Sequence, residues 1–120
     1  MVFIYSLSKA SRLTKTGQFY AVSHADGSES SALFQVLVKL KAQGITRLGV
    51  VLSKRLTPRA VDRSYVKRLI REEFRVRKHT LSGMDVVVKV RRTLPKAQAS
   101  QARAELSDLF SRVSQWAAQR

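Results

Sequence analysis

Lys and Arg side chains recur along residues 59–78 at spacings that bring them onto one face of an α-helix. At 100° per residue, seven of these cations fall within an arc of roughly 180°. The arc consists of Arg59, Arg63, Lys67, Arg68, Arg71, Arg75 and Lys78. Guanidinium and ammonium groups in such an array suit phosphate oxygens, and Arg can bind them through two parallel hydrogen bonds. The chemistry predicted for this helix is therefore the binding of a polyanion.

A run of charges on a helix more often marks a face exposed to solvent, and such a face normally mixes the two signs. Residues 54–78 instead contain ten Lys or Arg against three acids, and those acids lie outside the basic arc. Apolar residues, among them Val61, Val66 and Val76, fill most of the remaining circle and are predicted to anchor the helix on the core. The excess of one sign favours a polyanion-binding face over a merely solvated one.

The residues that could perform acid–base or metal chemistry are few and scattered. The eight acids include no pair with the spacing of a metal site, and Glu72 and Glu73 diverge by about 100° on a helix. His24 and His79 lie in segments with no evident reason to meet, and each is interpreted as a surface histidine. Cysteine is absent, which excludes thiol nucleophiles, thiolate metal sites and disulfides. We predict a binding subunit with no catalytic residue and no metal held by protein side chains.

The composition predicts one strongly basic domain over residues 1–120. A hydrophobic fraction of 44% is typical of a globular chain. The 23 Lys and Arg against 8 Asp and Glu give a net charge of +15, which favours nucleic acid or an anionic membrane surface as partner. Neither a signal peptide nor an apolar stretch of the ~20 residues that span a membrane is recognisable. We expect a soluble, cytoplasmic protein.

Hydrophobic periodicity predicts the elements that must position the basic helix. Strands are predicted at 32–41, 47–54 and 84–92, helices at 9–24, 59–78 and about 96–118, and a loop at 25–31. Thr57 is the predicted N-cap of the basic helix. The order α-β-β-α-β-α indicates an α/β (α+β) two-layer sandwich, in which helices cover one face of a small sheet and the other face is partly open.

The open face of this sheet is predicted to be both basic and apolar. Alternation along the strands places on it Lys39, Arg47, Ser53, Lys89 and Arg91, among Leu33, Leu37, Val51 and Val87. Such a surface suits single-stranded nucleic acid, because cations follow the backbone while flat side chains meet the bases. Phe19 on the first helix is interpreted either as a stacking residue beside this surface or as a core residue.

The segments "SKR" and "AVDRSYVKRLIREEFR" together resemble the signature of the protein subunit of bacterial ribonuclease P. In that family a Ser-Lys-Lys/Arg strand end precedes a helix with the pattern Ala-Val-x-Arg-Asn-x-x-Lys-Arg-x-x-Arg-Glu-x-Phe-Arg. The similarity extends over nearly the whole chain, since "RLTKTGQF" is similar to the family's first helix and "DVVVKVRR" to its last strand. Ser64 stands where the family has Asn, and Pro58-Arg59 where it commonly has Gly-Asn. The resemblance also implies a left-handed β-α-β crossover.

The resemblance implies a ribonucleoprotein endonuclease that removes the 5′ leader from precursor tRNA. It further implies that Mg²⁺-dependent catalysis resides in the RNA subunit, that one protein binds each RNA subunit, and that the protein alone is inactive. By resemblance and by the basic arc, the catalytic RNA would be bound by Arg59, Arg63, Ser64, Lys67, Arg68, Arg71 and Arg75. By resemblance and by the open sheet face, the leader would be bound by Arg12, Phe19, Ser53, Lys54, Arg55, Lys89, Arg91 and Arg92.

Two other functions use the same basic surface. A ribosomal or rRNA-assembly protein without enzymatic activity would place the helix on rRNA. A basic protein of the membrane surface is disfavoured, because the apolar face of the helix has a sheet to cover, as a lone interfacial helix would not.

Overall fold

The seven main elements of the fold are known from a computed structural model that describes residues 12–41, 45–81, 83–94 and 96–119. They are α1 (Lys15–Ser23), β1 (Gly27–Ser30), β2 (Phe34–Leu40), β3 (Arg47–Val51), α2 (Ala60–Arg77), β4 (Met84–Val90) and α3 (Ala99–Ala118). Short 3-10 turns at Lys78–Leu81 and Lys96–Gln98 follow α2 and precede α3. The predicted α+β class is confirmed. Residues 9–11 of the predicted first helix lie outside the described residues.

The four strands of the described chain form one sheet in the order β1-β2-β4-β3. β2 pairs antiparallel with both β1 and β4, whereas β3 runs parallel to β4. Parallel neighbours require a crossover connection, and α2 provides it between β3 and β4. The β-α-β unit expected for the basic helix is therefore present, and its left hand stays a prediction.

Strand β1 lies within residues 25–31, where a loop was predicted, so the element order is α-β-β-β-α-β-α. Gly27 pairs with Val38 and Ser30 with Gln35. The strand, of sequence GSES, has no apolar side chain, so alternation gave no signal for it, and its place at the edge of the sheet is compatible with such a polar sequence. A Cβ on Gly27 would lie 2.7 Å from the Trp116 ring, so glycine lets β1 approach α3 closely.

The core lies between one face of the sheet and the helices α2 and α3. The rings of Phe74 in α2 and Phe110 in α3 meet edge to face, with centroids 6.2 Å apart. Both rings are completely buried, as are Val36 and Val86 of the sheet beneath them. Ala102, Leu106, Leu109 and Val113 of α3 are buried in the same core. No helix among the described residues is long and apolar enough to cross a membrane.

Helix α1 packs on the opposite face of the sheet, which is therefore only partly open, as predicted. Leu13, just before this helix, and Ala21 within it form a small buried cluster with Val87 of β4. Leu33 was predicted on this face but is only 4% exposed in the main core. It lies in the turn before β2, where the alternation of the strand does not apply.

The buried face of α2 is narrower than its apolar arc. Val66, Leu69, Ile70 and Phe74 are buried, whereas Val61 and Val76 at the margin of that arc are 64% and 56% exposed. The prediction that these two valines face the core was wrong, because the sheet and α3 cover less of the helix than its apolar residues span.

The start of α2 also differs from its prediction. The helix begins at Ala60, so Thr57 is not its N-cap. The Thr57 N–H instead donates to the carbonyl oxygen of Ser53 at 3.0 Å and helps to close the turn that follows β3.

Candidate nucleic-acid interface

The basic ridge of α2, formed by Arg59, Arg63, Lys67, Arg68, Arg71 and Arg75, is held in place by the buried face of the same helix. Phe74 and Ile70 are fully buried, so the helix cannot rotate without exposing core surface to water. Arg59, Arg68 and Arg75 are exposed, and the other three cations of the ridge are half-buried. Ser64, also expected to bind RNA, is exposed on the same helix.

The amino-terminal end of the ridge makes bonds within the protein. Arg59 forms an ion pair with Asp62, with Nε 2.7 Å from Oδ2. The Nη1 group of Arg63 donates to the carbonyl oxygens of Thr57, at 3.1 Å, and Pro58, at 2.7 Å. Through these two hydrogen bonds, Arg63 fixes the turn that leads into α2.

The centre of the ridge is electrostatically uncompensated. Lys67, Arg68 and Arg71 take part in none of the hydrogen bonds or ion pairs found between side chains of the described residues. Lys67 and Arg71 line a cleft of about 100 Å³ together with Arg12, which precedes α1. Partial burial, and then the neighbouring Arg12, lower the pKa of Arg71 below its ordinary value. Three cations at one cleft repel each other, and a phosphate group bound there would relieve the repulsion.

Arg12 connects two surfaces that were predicted to be separate. The residues predicted to bind the leader are called the leader group: Arg12, Phe19, Ser53, Lys54, Arg55, Lys89, Arg91 and Arg92. Arg12 belongs to this group, yet it lies beside two cations of the ridge. Its position follows from a bridge to β3, in which the Leu13 N–H donates to the Leu48 carbonyl oxygen at 2.8 Å. The ridge and the leader group therefore meet at the outer edge of β3.

Helix α1 covers part of the open face of the sheet, the face opposite the main core. Its Gln18 side chain lies over Gly49 in β3, where a Cβ would be only 2.5 Å from the Gln18 Cγ atom. Phe19, the next residue, is 76% exposed. The alternative interpretation of Phe19 as a core residue was therefore wrong, and its ring is accessible to a base.

The carboxyl ends of β3 and β4 bring most of the leader group to one edge of the sheet. The two strands are parallel, with Val51 in register with Lys89, so the residues that follow each strand emerge side by side. Thr93 Oγ1 donates to the Leu56 carbonyl oxygen at 3.0 Å and joins the two segments. The leader residues carried by these segments are Ser53, Lys54, Arg55, Arg91 and Arg92, all of them exposed.

Ser53 organises the turn that carries two of these cations. Its Oγ accepts hydrogen bonds from the backbone N–H groups of Arg55, at 3.0 Å, and Leu56, at 3.2 Å. A side chain that closes its own turn in this way fixes the backbone of a loop. The position of Ser53 thus supports Lys54 and Arg55 rather than only offering a hydroxyl to a ligand.

Two other cations predicted for the open face are neutralised within the protein. Arg47 binds Asp85 through two hydrogen bonds, and Lys39 lies 3.3 Å from an Asp26 oxygen. Arg47 and Lys39 both lie on the face of the sheet that the alternation of side chains along the strands predicted. The positive charge of that face is consequently concentrated at Lys89 and Arg91, toward the carboxyl end of β4.

The carboxylates of the described chain do not fit a magnesium site. Asp62, Glu72 and Asp85 pair with basic side chains, as do Asp26, Glu29 and Asp108, and Glu105 accepts from Ser31 and the Leu33 N–H. No group of three His, Asp or Glu side chains within the described ranges could hold a metal ion. His24 is bound locally, with its ring stacked on Tyr20 at 4.1 Å between centroids.

One residue beside the leader group was not predicted. Gln18 occupies the space above β3 and thereby sets how closely α1 approaches the sheet. The available signal was Gly49, since an isolated glycine inside a strand indicates that another group comes close to the backbone.

Comparison with known proteins agrees with this arrangement. The family model for ribonuclease P matches residues 7–114. The ribonuclease P protein component of Chromobacterium violaceum is 34% identical over 110 residues, which cover 92% of this chain and 91% of the relative. That of Thioalkalivibrio sulfidiphilus is 37% identical over 103 residues, with 86% of each chain covered.

Solved structures give the same result. The ribonuclease P protein of Staphylococcus aureus superposes with a TM-score of 0.66 at 27% identity, covering 91% of this chain and 96% of that one. The Thermotoga maritima protein gives 0.68 at 27% identity, covering 84% and 96%. The chain belongs to the ribonuclease P protein family and is the protein component of a tRNA-processing ribonucleoprotein whose other component is RNA.

Proposed function

We propose that the ridge of α2 binds the catalytic RNA subunit and that the edge formed by the ends of β3 and β4 binds the 5′ leader of precursor tRNA. The observation that carries this proposal is the unpaired charge of Lys67, Arg68 and Arg71, in a chain whose carboxylates are mostly engaged elsewhere. Uncompensated cations on a rigid helix cost free energy in the isolated protein. Binding an RNA backbone offsets that cost.

The two proposed surfaces suit different forms of RNA. The ridge is a straight array of cations, and a folded RNA presents phosphates that Arg can bind through two hydrogen bonds. The proposed leader residues include Lys89 and Arg91 of the sheet and the exposed ring of Phe19 on α1, and cations with an accessible aromatic ring suit a single strand with unstacked bases. A leader upstream of the tRNA body is such a strand.

Catalysis is proposed to reside in the RNA subunit. Among the described residues, all carboxylates except Glu73 are bound to Arg or Lys side chains or to hydroxyl, amide and backbone groups, so they are not disposed to hold the Mg²⁺ ions that phosphodiester hydrolysis uses. The protein would contribute binding and orientation of the substrate. One protein per RNA subunit is the proposed stoichiometry, and the cytoplasm is the proposed compartment, because precursor tRNA is transcribed there in bacteria.

Binding of precursor and mature tRNA to the reconstituted holoenzyme tests the division of labour. Removing both charges in Lys89→Ala with Arg91→Ala, about 7 Å apart along one strand, should weaken binding of precursor tRNA. Mature tRNA has no leader, so its dissociation constant should be nearly unchanged at the same salt concentration.

The matched double variant is Lys67→Ala with Arg68→Ala, which should weaken assembly with the RNA subunit first. Equal losses for precursor and mature tRNA in the Lys89/Arg91 variant would contradict a leader site at this edge. Sequencing the RNA that co-purifies with the tagged protein separates this function from rRNA assembly, which would yield ribosomal RNA instead.

A further inference from the structure

The turn that joins β1 to β2 is bound on one side by a carboxylate of α3. Glu105 Oε1 accepts a hydrogen bond from the Ser31 Oγ at 2.5 Å and another from the backbone N–H of Leu33 at 3.0 Å. Its second oxygen, Oε2, accepts from the Gln101 Nε2 at 2.9 Å. Glu105 and Ser31 are half-buried, and Leu33 belongs to the main core. The carboxylate therefore holds the turn against α3.

The same turn holds Arg91 on its other side. The Arg91 backbone N–H donates to the Leu33 carbonyl oxygen at 2.8 Å, one residue beyond the last pair of β2 and β4. The Arg91 Nη1 group donates to the Ser31 carbonyl oxygen at 2.5 Å. The backbone and the guanidinium of Arg91 are thus both fixed by residues that Glu105 binds directly.

The charge of Arg91 is not neutralised by this anchoring. A carbonyl oxygen carries no net charge, and Arg91 forms no ion pair with any acid of the described residues, Glu105 included. A guanidinium has five N–H donors, so one bond to Ser31 leaves other donors for a phosphate oxygen. Arg91 is also exposed, so a ligand can reach it.

Glu105 is kept in its charged form by the groups around it. Burial opposes the charge, but the hydrogen bonds from Ser31, Leu33 and Gln101, together with the positive charge of Arg92, outweigh burial and lower the pKa of Glu105. The side chain is therefore ionised at neutral pH, and an ionised oxygen accepts stronger hydrogen bonds than a neutral one.

We propose that Glu105 is a positioning residue: through the turn at Ser31, it fixes the direction in which the guanidinium of Arg91 leaves the end of β4. The inference rests on the proposed function, in which Arg91 binds the leader. An Arg side chain that moves freely loses rotamer freedom when it binds a ligand, whereas one that is already anchored loses less and binds more tightly. Glu105 thus favours the binding of an anion although it is itself an anion.

Two substitutions that remove the same charge test this role. Glu105→Gln keeps an oxygen that can accept from Ser31 and Leu33, whereas Glu105→Leu removes both acceptors. In the reconstituted holoenzyme, Glu105→Leu should weaken the binding of precursor tRNA about fivefold, the effect of roughly one hydrogen bond, and leave mature tRNA nearly unchanged. Glu105→Gln should retain most of the preference for precursor tRNA, measured as the ratio of the two dissociation constants.

A role of Glu105 through its charge alone predicts the opposite result. Both variants make the protein more positive by one charge, so both would then bind precursor and mature tRNA more tightly and to the same extent. That outcome would overturn the proposal. Asp108→Leu is the matched control, because it removes an exposed acid from the same helix without touching the turn at Ser31.

Coupling to Arg91 separates positioning from a general loss of stability. In the Arg91→Ala background, Glu105→Leu should cause no further loss of the preference for precursor tRNA, whereas a destabilised protein would lose binding in either background. Ser31→Ala removes one of the two bonds to Glu105 Oε1 and keeps the backbone carbonyl that binds Arg91. It should give a smaller loss with the same coupling, and it serves as the test if Glu105→Leu does not fold.

The two proposals fail in different ways. Additive losses in the cycle would overturn the positioning role. If the Lys89/Arg91 variant loses the preference for precursor tRNA while Glu105→Leu retains it, the leader site stands and only the role of Glu105 fails. If the Lys89/Arg91 variant keeps the full preference, the leader site fails and this inference fails with it.

Discussion

Arg47 binds the carboxylate of Asp85 through two hydrogen bonds, from Nε to Oδ1 at 2.9 Å and from Nη2 to Oδ2 at 2.8 Å. The Asp85 side chain is only 7% exposed, and Lys41 approaches its Oδ1 at 3.0 Å. Burial alone would raise the pKa of Asp85, but the hydrogen bonds from Arg47 and Lys41 outweigh burial and lower it. The cluster therefore stabilises the fold and also removes two cations from the face that we propose binds RNA.

Asp85→Asn should lower the free energy of unfolding at pH 7 by about 1–3 kcal/mol, because three hydrogen bonds to a charged group, two from Arg47 and one from Lys41, are lost or weakened. A carboxyl group whose pKa is lowered by folding contributes stability above its ordinary pKa of about 3.9, and this contribution disappears as the pH falls through the lower folded value. The natural protein should therefore lose stability below about pH 4, and the variant should lose less. Denaturant unfolding at pH 7 and near pH 3 measures both effects.

Two other acids bear on this measurement, one as a control and one as a second source of pH dependence. Asp108→Asn changes an exposed acid that pairs with Arg112, so its effect at pH 7 should be within about 0.5 kcal/mol. Hydrogen bonds from Ser31 and the Leu33 N–H outweigh burial at Glu105 and lower its pKa as well. Some pH dependence should thus remain in Asp85→Asn. An unchanged pH dependence would show that the ion pair with Arg47 contributes nothing to stability.

The ridge predicts that RNA binding depends on salt and that two of its arginines differ in their effect on stability. With about four to six phosphates bound, log affinity for the RNA subunit should fall with log salt with a slope of roughly −3 to −5. Arg68→Ala should make this slope shallower by about one unit and leave stability unchanged, since Arg68 is exposed and makes no bond within the described chain. Arg63→Ala should do the same and also lower stability by about 1 kcal/mol, because Arg63 donates to the Thr57 and Pro58 carbonyl oxygens.

Filter binding over a salt series, with thermal unfolding of the free variants, separates these effects. Arg103→Ala is the matched control, because Arg103 lies on α3 and is already paired with Glu72. An affinity that does not depend on salt would rule out the ridge as the RNA-binding surface.

The ridge and all the elements except β1 could be predicted because they depend on local periodicity. Val66 and Phe74 are buried and Arg68 is exposed for the same reason, namely that a helix repeats every 3.6 residues. The alternation of β2 and β4 likewise predicted the faces of Lys39 and Lys89. These assignments use only residues close together in the chain.

The partners of those residues could not be predicted, because they depend on which strands become neighbours. Arg47 meets Asp85 only since β3 pairs with β4 in parallel and in this register. Arg12 meets Arg71 only because the chain before α1 bridges to Leu48. The separation of unpaired from neutralised cations, on which the proposed RNA-binding surfaces depend, is therefore a property of the folded chain.

The division of chemistry between protein and RNA gives a further prediction. The purified protein, freed of RNA by nuclease and high salt, should not cleave precursor tRNA in Mg²⁺, and addition of the cognate RNA subunit should restore cleavage. Glu73→Gln changes the one carboxylate that forms no ion pair or side-chain hydrogen bond within the described residues. It should leave the activity of the holoenzyme within about twofold, since Glu73 is not proposed as a metal ligand. Cleavage at the leader junction by RNA-free protein would demonstrate an active site in the protein.

The contact between Gln18 and Gly49 predicts how the position of α1 affects leader binding. A Cβ at residue 49 would lie 2.5 Å from Gln18 Cγ and 3.0 Å from its Cδ, so Gly49→Ala must displace the side chain and the helix that carries it. Overpacking of this kind should cost about 1–3 kcal/mol of stability. Because Phe19 adjoins Gln18, affinity for precursor tRNA should fall more than affinity for mature tRNA. Gln18→Ala removes the clashing atoms, and the double variant should recover both stability and leader discrimination, a positive coupling measurable in a double-mutant cycle. Additive losses in the cycle would show that Gln18 does not set the distance between α1 and the sheet.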